Sequence, residues 1–162
     1  MEWWQSLCAA AGKEAGSLAD AAELVQGVQR LLAAAAAGAV IGWQRQRAGK
    51  SAGLRTHMLM ALGAALLILA PLSAGVPLEN ISRVIQGVAE GLGFIGGGVI
   101  LKLTQQERVR GLTTAAGLWM TAALGVSAGL GRYLLALIGT LAAWFVLSVV
   151  RYFEVAEGEK AP

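Results

Sequence analysis

Two charged side chains sit where charge is costly. Arg30 and Glu90 are each embedded in an apolar run, AAELVQGVQRLLAAAAAGAVIGW for the first and ISRVIQGVAEGLGFIGGGVIL for the second. An unpaired charge at the centre of a bilayer costs at least ~3 kcal/mol, so such groups turn inward and pair. Aligning Gly38-Ala39-Val40-Ile41 with Gly97-Gly98-Val99-Ile100 sets Arg30 opposite Ala89, one residue from Glu90. That register predicts an Arg30–Glu90 ion pair between the first and third runs, which either fixes helix register or handles an ion.

A second constellation is basic. Arg45, Arg47, Lys50 and Arg55 follow the first run with no acid among them, and Arg110 closes the link after the third. The runs that follow open as Gly53-Leu54-Arg55-Thr56 and Gly111-Leu112-Thr113-Thr114. A helix N-terminus carries partial positive charge, and threonine oxygens can cap its orphan N–H groups. Arg45, Arg47, Lys50, Arg55, Thr56, Arg110, Thr113 and Thr114 therefore form a candidate anion or partner surface for lipid headgroups or an acidic protein segment. The plainer alternative is that these arginines set topology and touch lipid phosphate. At the opposite mouth stand Glu79, Asn80 and Arg83, with Glu79 and Arg83 at i, i+4 spacing for a pair.

Other chemistry is not provided for. Gly49-Lys50-Ser51 resembles the end of a P-loop, but the glycine required five residues earlier is Gln44. One cysteine, Cys8, and one histidine, His57, exclude an internal disulfide framework and a histidine cluster for zinc. Of ten acids only Glu90 lies well inside a run, Glu23 standing at the edge of the first, too few for an independent magnesium path. No nucleophile–base pair or nucleotide loop is present. We expect no enzyme, no cofactor, no bound metal and no nucleic-acid partner. His57 reads as a capping or interfacial residue and Trp119 as core packing.

The elements that position these groups follow from composition. The 162 residues are 56% hydrophobic and only 14% charged, against about 25% charged in soluble domains. The apolar runs fall at about 22–43, 54–72, 81–101, 112–130 and 133–150, each near the length that spans a bilayer. The expectation is an all-α polytopic membrane protein with five transmembrane helices. Residues 1–21 would be an extracytoplasmic tail without the pattern of a signal peptide, 22–153 the membrane domain, and 154–162 a cytoplasmic tail. Tyr133 and Tyr152 bracket the last run about 28 Å apart at helical rise, suited to the interfacial belts. Nine Lys and Arg residues fall on the side of the two links and the C-terminus, and three on the other. The N-terminus is therefore expected outside, with the links and C-terminus in the cytoplasm.

The first two hairpins also resemble each other. Beyond the match at Gly38 and Gly97, Gly53-Leu54-Arg55-Thr56 aligns with Gly111-Leu112-Thr113-Thr114, and Ala64-Ala65-Leu66 with Ala122-Ala123-Leu124. Two parallel-repeat hairpins plus a fifth helix would result, a plan known among transporters. Small residues recur four apart at Gly38/Gly42, Gly87/Gly91, Gly93/Gly97 and Gly125/Gly129. Such spacing lets helices approach closely, either within the bundle or in a homodimer.

The blocks AGLRTHMLMALGAALL, GLGFIGGGVIL and VRGLTTAAGLWMTAALGVSAGLG, in this order and spacing, resemble the MgtC/SapB family of bacterial inner-membrane proteins over about residues 24–150. The resemblance implies a five-helix domain in the inner membrane. It implies a role in growth at low magnesium and, in pathogens, in survival inside macrophages, through modulation of other membrane proteins such as ATP synthase. Some members carry a cytoplasmic ACT-like domain, which we do not expect here because the chain ends soon after Arg151. Two positions depart from the family pattern: Gln44 stands where Glu is common, and Glu90 where a small residue is usual. The expected function is a regulatory partner of other membrane proteins in adaptation to low magnesium or stress. The alternative is a small transporter of an ion (magnesium, or proton-coupled) or a lipid-like solute, built around Arg30 and Glu90.

Overall fold

A computed structural model describes residue 5 and residues 21–102 and 111–150. Most of the N-terminal tail, Arg110 with its link, and the C-terminal tail lie outside the described residues. Five helices occupy the five expected runs: α1 Ala21–Arg47, α2 Leu54–Ser73, α3 Ile81–Lys102, α4 Leu112–Gly129 and α5 Tyr133–Phe145. A 3-10 turn, Leu78–Asn80, precedes α3, and a π-helical segment, Val146–Val150, continues α5. No strand occurs among the described residues.

The helix ends follow local rules. α1 carries Glu23 in its first turn and Arg45 and Arg47 in its last, each sign matched to the macrodipole. It stops where Gly49 adopts φ 66°. The Gly49 and Lys50 N–H groups then bond back to the carbonyls of Gln46 and Arg45, at 3.0 and 3.1 Å, in the pattern of a Schellman motif. α4 ends in the same way, with Gly131 and Arg132 bonding to Ala128 and Ser127. The residues that start α2 and α4 are glycines, Gly53 and Gly111, with no side-chain cap. The expected threonine caps are thus not formed. Thr56, Thr113 and Thr114 lie inside the helices, past the one position from which a side chain reaches back to the free N–H groups. At α2 that task falls to Gln46, whose Oε1 accepts the Leu54 N–H at 3.2 Å.

α2 packs against α1 and α4, α1 also contacts α4, and α5 closes over α1 and α4. α3 rests on α4 and only lightly on α2. The interior is rich in small residues, alongside the buried Ile41, Ile68, Leu118 and Leu124: Ala34, Ala61, Ala65, Ala128 and Ala136 form one cluster, and Leu92 of α3 is pinned between Ala64 and Ala122 in another. Large apolar residues point outward, with Phe94 87% exposed and Leu134 70%. Trp119, expected in the core, is 52% exposed. The buried residues of α4 are Thr114, Gly117, Leu118, Thr121, Ala122, Leu124, Gly125, Ala128 and Gly129, and Trp119 is not among them. Among the described residues, two helices are long and apolar enough to cross a membrane, Ala22–Arg47 and Leu54–Ser73.

The two similar hairpins pack differently. A Cβ on Gly38 would come within 2.6 Å of the His57 carbonyl oxygen, and one on Gly42 within 2.7 Å of Leu54 Cα, so α1 and α2 touch backbone to backbone. At the corresponding place in the second hairpin, Gly97 has nothing within 4 Å and Gly96 meets only the Ala115 Cβ, at 3.6 Å.

Candidate functional site

A polar cluster is buried where α1, α2 and α4 meet. Arg45, on the last turn of α1, is 3% exposed and donates through Nη2 to Thr114 Oγ1 at 2.6 Å. One to two turns further along α4, Thr121 Oγ1 lies 2.7 Å from His57 Nδ1, and both residues are fully buried. The Thr121 hydroxyl donates its single hydrogen to the Gly117 carbonyl at 2.8 Å. It can therefore only accept from the imidazole, which fixes the proton on Nδ1 and leaves Nε2 an acceptor. Nε2 is buried and has no hydrogen-bond partner. Gly117 borders the ring, and a Cβ there would stand in ordinary contact 3.6 Å from His57 Cε1.

Beside this cluster Gln44 reaches α5, its Nε2 donating to the Leu147 carbonyl at 2.8 Å within the π-helical segment. A carboxylate at position 44 could not make this bond, because both partners would be acceptors. The arrangement ties three helices and the end of α5 together through side chains. Among the described residues no group of three or more His, Cys, Asp and Glu comes together.

The predicted Arg30–Glu90 pair is not formed. Arg30 Nη1 instead donates to the Gly129 carbonyl, at the C-terminal end of α4, at 3.1 Å. A helix C-terminus presents free carbonyls and partial negative charge, so it receives a cation without a carboxylate. Glu90 faces outward on α3 and accepts from Gln86 Nε2, four residues away, at 3.1 Å. The two side chains lie on different sides of the bundle's packing, because α1 contacts α2, α4 and α5 rather than α3.

The basic surface divides. Arg45 and Thr114 are withdrawn into the buried cluster, whereas Lys50, Arg55, Thr56 and Thr113 are exposed. The Arg47 guanidinium stacks 4.9 Å above the Trp43 ring. His57, expected at an interface, is the most enclosed polar group of α2. At the other end Glu79, Asn80 and Arg83 are all exposed, and Glu79 and Arg83 form no ion pair; the Glu79 carbonyl accepts from Ser82 Oγ at 3.0 Å.

The sequence profile of the MgtC family matches residues 31–156. This chain belongs to the MgtC family. It is 47% identical over 130 residues to Protein SrpB of Synechococcus elongatus, covering 74% of this chain and 71% of that protein. It is 41% identical over 127 residues to a protein of Escherichia coli called putative magnesium transporter YhiD, covering 74% and 58% of the two chains. Protein MgtC of Salmonella typhimurium is 42% identical over 114 residues, 70% of this chain and 48% of that one. The chain thus spans about half the length of the latter two relatives. No solved structure matches it.

For an MgtC family member, the residues missed from sequence are as instructive as those found. The His57–Thr121 bond joins positions 64 apart. A signal for it was present: Thr114, Gly117, Thr121, Gly125 and Ala128 recur at helical spacing and mark the small, polar-dotted face of α4 that is buried. Four pairs of glycines share one spacing, yet only Gly38/Gly42 and Gly125/Gly129 pack against backbone.

Proposed function

We propose that this MgtC family member crosses the inner membrane five times, with its N-terminus outside and its C-terminus in the cytoplasm. There it acts as a regulatory partner of another membrane protein in adaptation to low magnesium or stress. The observation that carries this reading is the outer face of α3. Gln86 and Glu90 lie exposed there beside Gly87, Gly91 and Gly97, each of which has nothing within 4 Å of a built Cβ. A carboxylate facing hydrocarbon is unfavourable, and a backbone left bare by glycine offers close approach, so a second helix carrying a donor would relieve both. An interior rich in alanine and glycine and the many large apolar residues exposed on the outside support the membrane assignment. Lys50, Arg55, Thr56 and Thr113 would face the cytoplasm as a further partner surface, ATP synthase being the partner that the family resemblance implies. We read the two hairpins as parallel copies whose second member has loosened to receive that partner.

Site-specific photocrosslinking tests this directly. A crosslinker at Phe94 should capture one reproducible membrane protein in magnesium-limited cells, and Glu90→Leu should reduce the yield at least severalfold. A crosslinker at Leu134 on α5 should not. The name of YhiD favours a transport reading instead. If the purified chain in liposomes moved magnesium and Glu90→Gln abolished that flux, transport would replace regulation.

A further inference from the structure

At the end of the bundle where α1, α3 and α5 begin lies a partly open chamber of about 560 Å³ with a mixed polar and apolar lining. Among the described residues its polar lining is Gln26, Gln29, Arg30, Ser82, Arg132 and Tyr133, and the charged groups among them are both arginines. Arg30 spends only Nη1 on Gly129. Its Nε is buried and has no hydrogen-bond partner. A Cβ at position 131 would stand 3.4 Å from both Nε and Nη2, but this residue is Gly131 with φ 74°, so it places no side chain against that edge. The Nε–Nη2 edge is the fork that matches two oxygens of a phosphate. Arg132 is exposed at the rim and precedes the first turn of α5, while α3 begins on the opposite wall, so two helix N-termini add to the positive field.

A second cavity of about 680 Å³ adjoins the first and shares Gln26, Arg30, Leu78 and Leu130 with it. It is a slot between helices, with Leu24, Val28 and Leu31 of α1 facing Leu66, Leu69 and Leu72 of α2. Glu23 and Ser73 lie in the lining of this slot, not of the chamber. A cationic chamber joined through one arginine to an apolar slot is complementary to an amphiphile with an anionic head.

We propose that this site holds an anionic phospholipid, its phosphodiester on Arg30 and Arg132 and one acyl chain in the slot. The inference rests on the membrane assignment above, and the two fail separately. Alkaline carbonate washing reports the first: release of the chain from membranes overturns the membrane assignment itself. For the second, the full-length protein is purified in detergent and titrated with phosphatidylglycerol, phosphatidylcholine or inorganic phosphate while thermal unfolding is followed by tryptophan fluorescence. Phosphatidylglycerol should raise the midpoint well beyond phosphatidylcholine, and inorganic phosphate should leave it unchanged. Arg132→Gln should weaken phosphatidylglycerol binding about tenfold, the scale of one charge-assisted hydrogen bond, with no change in the lipid-free midpoint. Arg30→Gln should weaken it at least as much, and native mass spectrometry should find less lipid retained. Equal responses to the two lipids, or unaltered binding in both variants, would overturn the proposal. So would a shift by inorganic phosphate as large as that by lipid, because the slot would then contribute nothing.

Discussion

Thr121 shows how much one hydroxyl can decide in this bundle. It accepts from His57 Nδ1 and donates to the Gly117 carbonyl, so its removal strands a buried imidazole N–H. Thr121→Val keeps the shape and should destabilise the protein by about 1–2 kcal/mol in detergent unfolding measurements. Thr140→Val is the control: Thr140 is also buried, but its hydroxyl only bonds back to the Ala136 carbonyl four residues away, and its loss should cost less than about 0.5 kcal/mol. Equal losses in the two variants would mean that the His57 bond contributes nothing. Single-residue chemistry of this kind was only partly legible in the sequence. The misassigned Arg30–Glu90 pair rested on depth along the helix axis, and a repeat offset carries no information on which way a side chain turns. The true partner of Arg30 is a backbone carbonyl, which every residue owns and no residue type announces.

Helices, by contrast, were legible almost to their ends. Apolar runs bounded by Gly, Pro and charged links predicted 54–72 and 112–130, and the structure places α2 at Leu54–Ser73 and α4 at Leu112–Gly129. What spacing could not reveal is which helix faces meet, because all four glycine pairs look alike in sequence. The structure separates them by what a methyl group would strike. A Cβ on Gly125 would fall on the Ala61 carbonyl of α2, backbone that cannot swing aside. Gly125→Ala should therefore destabilise the bundle by about 2–3 kcal/mol. A Cβ on Gly87 meets nothing within 4 Å, and Gly87→Ala should be neutral or stabilising by up to ~1 kcal/mol from helix propensity alone. If Gly87→Ala leaves stability intact while abolishing low-magnesium growth and the Phe94 crosslink, the face of α3 acts between molecules. A stable variant that retains both would remove α3 from the proposed partner surface.

At the scale of the whole molecule, five consecutive helices place the two chain ends on opposite sides of any layer that all five cross. α2, with 20 residues, and α3, with 22, are each about 30 Å long, one hydrocarbon thickness. The α1–α2 turn carries Lys50, with Arg55 in the first turn of α2, and at the far end the α2–α3 connection carries Glu79, with Arg83 in the first turn of α3. Cytoplasmic loops collect Lys and Arg, so in the proposed membrane orientation the first turn would lie inside and the second outside. The lipid-phosphate chamber, at the end where α3 and α5 begin, would then open to the outer leaflet. Cysteine accessibility tests this arrangement in a Cys8→Ser background, which removes the single native thiol. Ser51 and Asn80 are both exposed, so each can be replaced without disturbing the packing. Ser51→Cys should react with a membrane-impermeant maleimide only after the inner membrane is permeabilised. Asn80→Cys should react in intact spheroplasts. Labelling of both from the same side would show that α2 does not cross. Labelling with the sides exchanged would keep five crossings but invert the molecule, moving the arginine chamber to the inner leaflet and the Lys50–Arg55 surface away from any cytoplasmic partner.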